Sequence, residues 1–195
     1  MPAEDLSSAA LADEPREPVP SFAANELAAL GARVAQRTWA DGLKRWFWGE
    51  GVALAGLAAF GLASGSGDDK LVRDWVGQHL TPQPEIVHVN DVAPAAAAVA
   101  VGYSSELRPY ADWAAGAPRS ASGALEHWPG DVWADTMFMA GAFLARLGRA
   151  TGELGLIEEA GRQYILHARV LQDEQTGLSD VFWALLNSAE FKLNH

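Results

Sequence analysis

Asp135 is the residue in this 195-residue sequence whose setting most needs a chemical explanation. It lies in a nearly continuous apolar stretch, residues 131–148, whose large side chains recur at helical spacing. A carboxylate inside such a helix costs several kcal/mol of free energy unless it is paired or faces water. Two interpretations stay open. Asp135 stabilises the start of the helix, or it is a general acid/base whose pKa is raised by apolar neighbours such as Trp133 and Met137.

Asp91, in the stretch Val-Asn-Asp-Val-Ala-Pro, is the second carboxylate with a candidate role. The simpler interpretation is that it caps the helix that follows. Because Asp91 and Asp135 each stand at the start of a predicted helix, they could also meet at one end of a helical barrel. Paired carboxylates are typical of glycosidic chemistry.

Aromatic side chains near these carboxylates are a second indication of sugar chemistry. Trp48 precedes a Gly-Glu-Gly stretch, and Trp128 and Trp133 come shortly before Asp135. Exposed tryptophans stack on sugar rings, although a tryptophan at helical spacing more often belongs to a core. His127 could donate a hydrogen bond to a substrate, whereas His167, on a helix face, fits a structural role.

The pattern of residues does not indicate a metal or any other cofactor. The 5 histidines show no spacing such as His-Glu-x-x-His, and the absence of cysteine excludes thiolate sites and disulfides. Gly49 and Gly51 are too few to predict a phosphate-binding loop. We therefore expect no cofactor and no metal.

The composition is that of an ordinary globular protein, with 49% hydrophobic and 20% charged residues. The formal net charge of −11 argues against nucleic acid and anionic membrane surfaces as partners. An acidic substrate would need a local cluster of hydrogen-bond donors. The N-terminus has no basic segment followed by an apolar one, so we expect no secretory signal and a cytoplasmic protein.

The periodicity predicts helices throughout and no strand, so the expected fold class is all-α, built from antiparallel helical hairpins. The predicted helices cover residues 25–41, 46–62, 68–80, 92–103, 104–115, 131–148 and 156–171, with a last one at 179–191. Asn25, Asp68 or Asp69, and Asn90 or Asp91 are the expected N-caps. The long connection at residues 116–130 is unusual in a compact domain unless it serves function.

Several of these segments together resemble the unsaturated glycuronyl hydrolases. The sequence is similar above all to glycoside hydrolase family 105, the unsaturated rhamnogalacturonyl hydrolases, with family 88 as a relative. The segments that carry the resemblance are Val132–Ala140, Phe143–Gly148, Trp48–Gly51, Val89–Pro94, Thr151-Gly152, Glu158–Ala160, Gln163, His167 and Leu171–Leu178. The resemblance covers about Asn25 to Leu178.

The resemblance implies an (α/α)6 barrel that releases a terminal 4,5-unsaturated uronic acid from pectin-derived oligosaccharides by hydrating its vinyl ether. Asp135 would protonate the C4=C5 bond and then activate the water that attacks C5, and Asp91 would supply the second acidic contact. His127 and Trp133 would contact the substrate, and Trp48 would line the pocket.

Three segments follow from this comparison: residues 1–22 as a disordered tail, residues 23–178 as an incomplete barrel, roughly its first half, and residues 179–195 as a tail unlike the family. Such a barrel needs about twice this many residues. We therefore expect a truncated or frameshifted reading frame whose product is inactive or poorly stable unless it pairs with another copy. The alternatives are a non-catalytic helical protein that dimerises through an open apolar face, and a barrel enzyme acting on neutral sugars.

Overall fold

A computed structural model describes residues 24–172, and this part of the chain is helical. Its α-helices are α1 (Ala24–Asp41), α2 (Trp48–Ser64), α3 (Asp68–His79), α4 (Ala93–Ala100), α5 (Arg108–Gly116), α6 (Ala142–Thr151) and α7 (Leu154–Leu171). Short 3-10 turns occupy Val89–Asp91 and Ser105–Leu107, and a π-helical turn occupies Met137–Gly141. Within residues 24–172 the β pairing is limited to two isolated bridges, Arg119 with Leu125 and Trp128 with Asp131. The all-α prediction is confirmed.

Glycines in a left-handed conformation mark the C-terminal ends of several helices. Gly65 ends α2 with a φ of 68°, and Gly102 follows α4 with a φ of 94°, a left-handed conformation that glycine adopts at low cost. The left-handed Gly102 shortens the helix predicted at 92–103 to Ala93–Ala100. The predicted helix at 104–115 is likewise divided between a 3-10 turn and α5.

The three predicted N-caps are wrong, and the one at Asn90 or Asp91 is described with the site. Asn25 lies inside α1, and Asp68 lies in the first turn of α3, where Gly67 is the cap and no side chain caps the helix. The Asp68 carboxylate is used elsewhere, since it accepts hydrogen bonds from Trp39 Nε1 at 2.8 Å and from Ser66 Oγ at 2.5 Å. Asp68 therefore joins α1 to the start of α3.

The core lies between α2, α4, α6 and their neighbours. Aromatic rings line up in its centre: Trp46 stacks on Trp75 with ring centroids 6.0 Å apart, and Tyr110 contacts Phe143 edge to face at 6.3 Å. α2 and α4 approach closely at Gly51, where an added Cβ would lie 2.7 Å from the carbonyl carbon of Ala93. This contact holds α2 against the segment that carries Asp91.

The predicted helix at 131–148 begins later than the sequence indicates. The backbone becomes helical at Asp135, passes through the π-helical turn, and continues as α6. The apolar pattern extends into the preceding loop because Val132 and Trp133 lie there. The helix predicted at 156–171 is confirmed as α7, which begins two residues earlier.

The outer faces of the first and last described helices expose apolar side chains. On α1 they are Leu27, Leu30 and Val34, with exposed fractions of 51%, 45% and 57%. On α7 they include Ile157, Ile165 and Val170. No helix among the described residues is long and apolar enough to cross a membrane. The predicted tail at 1–22 and the predicted helix at 179–191 lie outside the described residues.

Candidate active site

Asp135 stands at the first helical position before α6, and its side chain is 48% exposed. The expectation that it is buried among apolar neighbours is therefore wrong, because the apolar run leads into the helix through a loop. The carboxylate has a definite partner, since its Oδ1 atom lies 3.2 Å from His127 Nδ1. Asp135 combines contact with solvent and a fixed orientation.

His127 is the buried member of this pair. Its Nδ1 atom lies between Asp135 Oδ1 at 3.2 Å and Thr136 Oγ1 at 3.1 Å, and its ring stacks on Trp133 with centroids 4.4 Å apart and planes 9° from parallel. Burial lowers the pKa of His127 below its usual value; Asp135 opposes this shift and His88 adds to it. A proton on Nδ1 would be donated to Asp135 Oδ1, because a carboxylate oxygen without a proton can only accept.

Asp91 is buried in the 3-10 turn before α4. One carboxylate oxygen accepts hydrogen bonds from the backbone nitrogens of Val87 at 3.1 Å and His88 at 2.9 Å. Its backbone oxygen accepts a third, from Trp46 Nε1 at 2.9 Å. Asp91 therefore closes the turn that precedes α4 and is not the N-cap of that helix, which is Val92.

His88 links the two carboxylate segments, and sequence reasoning missed it. Its Nδ1 atom accepts the backbone N–H of Asn90 at 3.1 Å, and its ring contacts His127 edge to face at a centroid distance of 4.9 Å. The available signal was its spacing, because His88 precedes Asp91 by the three residues of a capping box. Through His88 the structure connects Asp91 to the pair formed by His127 and Asp135.

Three tryptophans among the described residues are exposed, and two of them contact the site. Trp128 and Trp133 are each nearly half exposed, and both contact histidines of the site, Trp128 through His88 at 4.1 Å and Trp133 through His127. Trp48, in the first turn of α2, is exposed as well, but no ring contact among the described residues joins it to His127. The predicted sugar contacts of Trp133 and Trp48 stay predictions.

α7 contributes buried side chains next to the loop that carries His127. His167 is fully buried, its Nδ1 atom contacts the backbone oxygen of Gln163 at 2.8 Å, and burial is the main cause that lowers its pKa. These features fit the structural role that its position on a helix face predicts. Within residues 24–172 no group of three or more histidine and acidic side chains could hold a metal ion.

The arrangement can exchange protons with a molecule bound against exposed tryptophan faces. An exposed carboxylate oriented by a buried imidazole suits general acid/base chemistry. Flanking indole rings suit a sugar. On an all-helical scaffold, these are the features expected of a helical glycoside hydrolase.

Comparison with known proteins gives the family. Residues 31–180 match Glycosyl Hydrolase Family 88, and the chain belongs to this family. The unsaturated rhamnogalacturonyl hydrolase YesR of Bacillus subtilis (strain 168) is 30% identical in an alignment of 155 residues that covers 71% of this chain and 45% of YesR.

Two crystal structures have the same fold. A possible member of the GH105 family from Salmonella enterica serovar Paratyphi A is 26% identical, with a TM-score of 0.69 over 83% of this chain and 52% of its own. Another from Klebsiella pneumoniae is 24% identical, with a TM-score of 0.68 over 90% of this chain and 55% of its own. The chain thus spans about half the length of these relatives. The predicted fold, part of an (α/α)6 barrel, is confirmed.

Proposed function

We propose that this chain carries the acid/base part of an active site that releases a terminal 4,5-unsaturated uronic acid from a pectin-derived oligosaccharide. The observation that carries the proposal is the Asp135–His127 pair with Trp133 stacked on its imidazole. The family and the name of its relative YesR support the substrate class.

In the proposed reaction Asp135 donates its proton to C4 of the C4=C5 double bond. The same carboxylate then takes a proton from the water whose oxygen bonds to C5. The hemiketal so formed opens by breaking the bond between C5 and the ring oxygen, which leaves a ketone at C5 and a hemiacetal at C1. Collapse of this hemiacetal to an aldehyde breaks the glycosidic bond and releases the rest of the oligosaccharide as an alcohol. The exposure of Asp135 fits a group that must meet both substrate and water, and the Nδ1–H of His127 fixes the orientation of its carboxylate.

The other predicted site residues take supporting roles in this proposal. Trp133 and Trp48 offer exposed faces to the sugar rings. His127 is buried against Trp133, so it acts on the substrate by orienting Asp135 and the Trp133 ring. Asp91 already accepts two backbone N–H groups, which orders the turn in which it would make the second acidic contact.

The test is turnover of an unsaturated rhamnogalacturonan disaccharide by the purified chain, followed by the loss of ultraviolet absorbance of the conjugated double bond. Asp135→Asn should lower kcat by about 10²–10⁴-fold, the usual contribution of a general acid/base. Asp131→Asn is the matched control, because this exposed aspartate shares the loop, and it should keep full activity. Equal activity of Asp135→Asn and the unsubstituted chain would refute the role of Asp135.

A second candidate function is self-association without catalysis. Its support is the apolar stripe of Leu27, Leu30 and Val34 on α1, a face of the kind that marks interaction surfaces. Size-exclusion chromatography with light scattering should then show a dimer that Leu30→Asp dissociates and Arg33→Glu does not. A monomer that hydrolyses the unsaturated disaccharide excludes this candidate. Hydrolysis of saturated as well as unsaturated disaccharides would favour the other alternative, an enzyme for neutral sugars.

A further inference from the structure

The loop that carries His127 contains a short hairpin with one backbone donor directed away from it. Ser120 donates its N–H to the oxygen of Ala124 at 2.9 Å, and Glu126 donates to the oxygen of Pro118 at 3.0 Å. In this antiparallel register Leu125, opposite Arg119, does not bond across the hairpin. Leu125 is buried, so its N–H needs a partner from elsewhere.

Gln163 of α7 is that partner. Its side chain is only 1% exposed, and its Oε1 atom accepts the N–H of Leu125 at 2.8 Å. Its Nε2 atom donates to the backbone oxygen of Gly123 at 3.2 Å and to Glu159 Oε1 at 2.9 Å. One buried amide therefore binds a donor and an acceptor of the same hairpin.

Glu159, one turn earlier on α7, holds the opposite strand of the hairpin. Its Oε1 atom lies 3.0 Å from Arg119 Nη1, and Arg119 in turn donates to the backbone oxygen of Ala114 at 3.1 Å. α7 thus contacts both strands of the hairpin, through the hydrogen bonds of Gln163 and the ion pair of Glu159 with Arg119. The part that leads directly into His127 is held by Gln163.

We propose that Gln163 is a positioning residue for the Asp135–His127 pair. Leu125 precedes His127 by two residues, and the backbone N–H of His127 continues the ordered loop by donating to the oxygen of Asp131 at 2.7 Å. Without the acceptor at position 163, the buried N–H of Leu125 has no partner and the segment shifts. His127 then leaves its stacked position on Trp133. Only the kinetic part of the test rests on the proposed function.

The experiment is NMR on the whole chain, with two direct observables. One is hydrogen exchange of the Leu125 amide; the other is the upfield shift of the His127 ring protons, which the stacked indole of Trp133 produces. In Gln163→Met we expect Leu125 to exchange at least about tenfold faster, as for a lost hydrogen bond, and the His127 upfield shift to diminish. Val76→Ala, a buried truncation in α3, is the control for lowered stability. It should speed the exchange of all core amides alike and leave the His127 shift unchanged, whereas Gln163→Met should speed the exchange of Leu125 more than that of the other core amides.

Gln163→Glu is the rescue variant. Its new oxygen lies where Nε2 donates to Glu159 Oε1 at 2.9 Å, so the variant replaces Gln163 only when its carboxyl carries a proton. At mildly acidic pH the protonated carboxyl accepts the Leu125 N–H and donates to Glu159. Leu125 protection and the His127 shift should both be kept under this condition, and this variant decides the matter if Gln163→Met does not fold. Where turnover is measurable, Gln163→Met should lower kcat more than it changes KM.

Three results would overturn the proposal: normal Leu125 protection in Gln163→Met, lost protection with an unchanged His127 shift, or loss of either observable in Gln163→Glu at mildly acidic pH. Each is read without turnover. A chain that shows the expected NMR changes but no hydrolysis would therefore refute the proposed function and leave the role of Gln163 in place.

Discussion

Replacing Gly51 with alanine tests whether the close contact of α2 with α4 orders the Asp91 turn. An alanine Cβ at this position would lie 2.7 Å from the carbonyl carbon of Ala93 and from the nitrogen of Pro94. Ordinary contact begins near 3.4 Å, so the two backbones must separate by about 0.7 Å. Both obstructing atoms belong to the backbone, so no side-chain rotation can relieve the overlap.

The expected change in the free energy of unfolding combines two opposing effects. Overpacking of this kind costs about 1–3 kcal/mol, and an alanine inside a helix gains about 0.5–1 kcal/mol over glycine. With rigid backbone on both sides, the overlap dominates and Gly51→Ala should lose about 1–2 kcal/mol. Gly56→Ala is the matched control, because the same helix offers open space there, and it should gain about 0.5–1 kcal/mol.

Thermal unfolding of the two variants measures the difference. For a domain of this size the gap of about 1.5–3 kcal/mol corresponds to a Tm difference of roughly 3–12 °C, with Gly51→Ala the lower. The overlap lies next to the turn in which the backbone oxygen of Asp91 accepts a hydrogen bond from Trp46 Nε1, so turnover should also decline. Equal or higher stability of Gly51→Ala relative to Gly56→Ala would refute the close-contact argument.

Two further predictions concern buried titratable groups. Tyr110 is fully buried, and its hydroxyl has no hydrogen-bond partner among the described residues. Burial, followed by the charge of Asp91, raises its pKa. Tyr110→Phe should therefore raise the free energy of unfolding by about 0.5–2 kcal/mol in urea denaturation, and a loss of stability would show that the hydroxyl has a partner. The pKa values of His127 and His167 are lowered below 6.5 in the folded protein, so the unfolded chain binds protons first. The two neutral histidines contribute fully to the free energy of unfolding above about pH 6.5. This contribution should be lost as the pH falls toward the folded pKa values, by up to about 1.4 kcal/mol per pH unit for each histidine. His127→Asn should flatten this pH dependence of stability, and a free energy of unfolding that does not fall on acidification would contradict the prediction.

Local signals in the sequence predicted the helices well. The stop at residues 63–67 and the end of α1 at Asp41 follow from glycines that adopt left-handed backbone, a property of single residues. α7 follows from apolar spacing alone. The sequence also predicted Asp135 as a site residue but placed it in the wrong environment, because the apolar run continues without a break from loop to helix.

The contacts that build the candidate site were beyond sequence reasoning because they join distant residues. Trp46 reaches Asp91 across 45 positions and Gln163 reaches Leu125 across 38. His88 carried no metal-ligand spacing, and its contact with His127 depends on how two loops meet. Local patterns report on helices, whereas the pairing of loops depends on the packing of the elements between them.

The π-helical turn at Met137–Gly141 sets the angular phase of the helix around the site. A π turn holds one residue more than an α turn, and in an α-helix each residue advances the side chains by about 100°. Deleting a single residue from this turn would therefore rotate Asp135 and Thr136 by about a quarter of a revolution relative to Phe143 and Leu147, which are fixed in the core. The one surplus residue lets a single helix present its apolar side inward and still point its first carboxylate at His127.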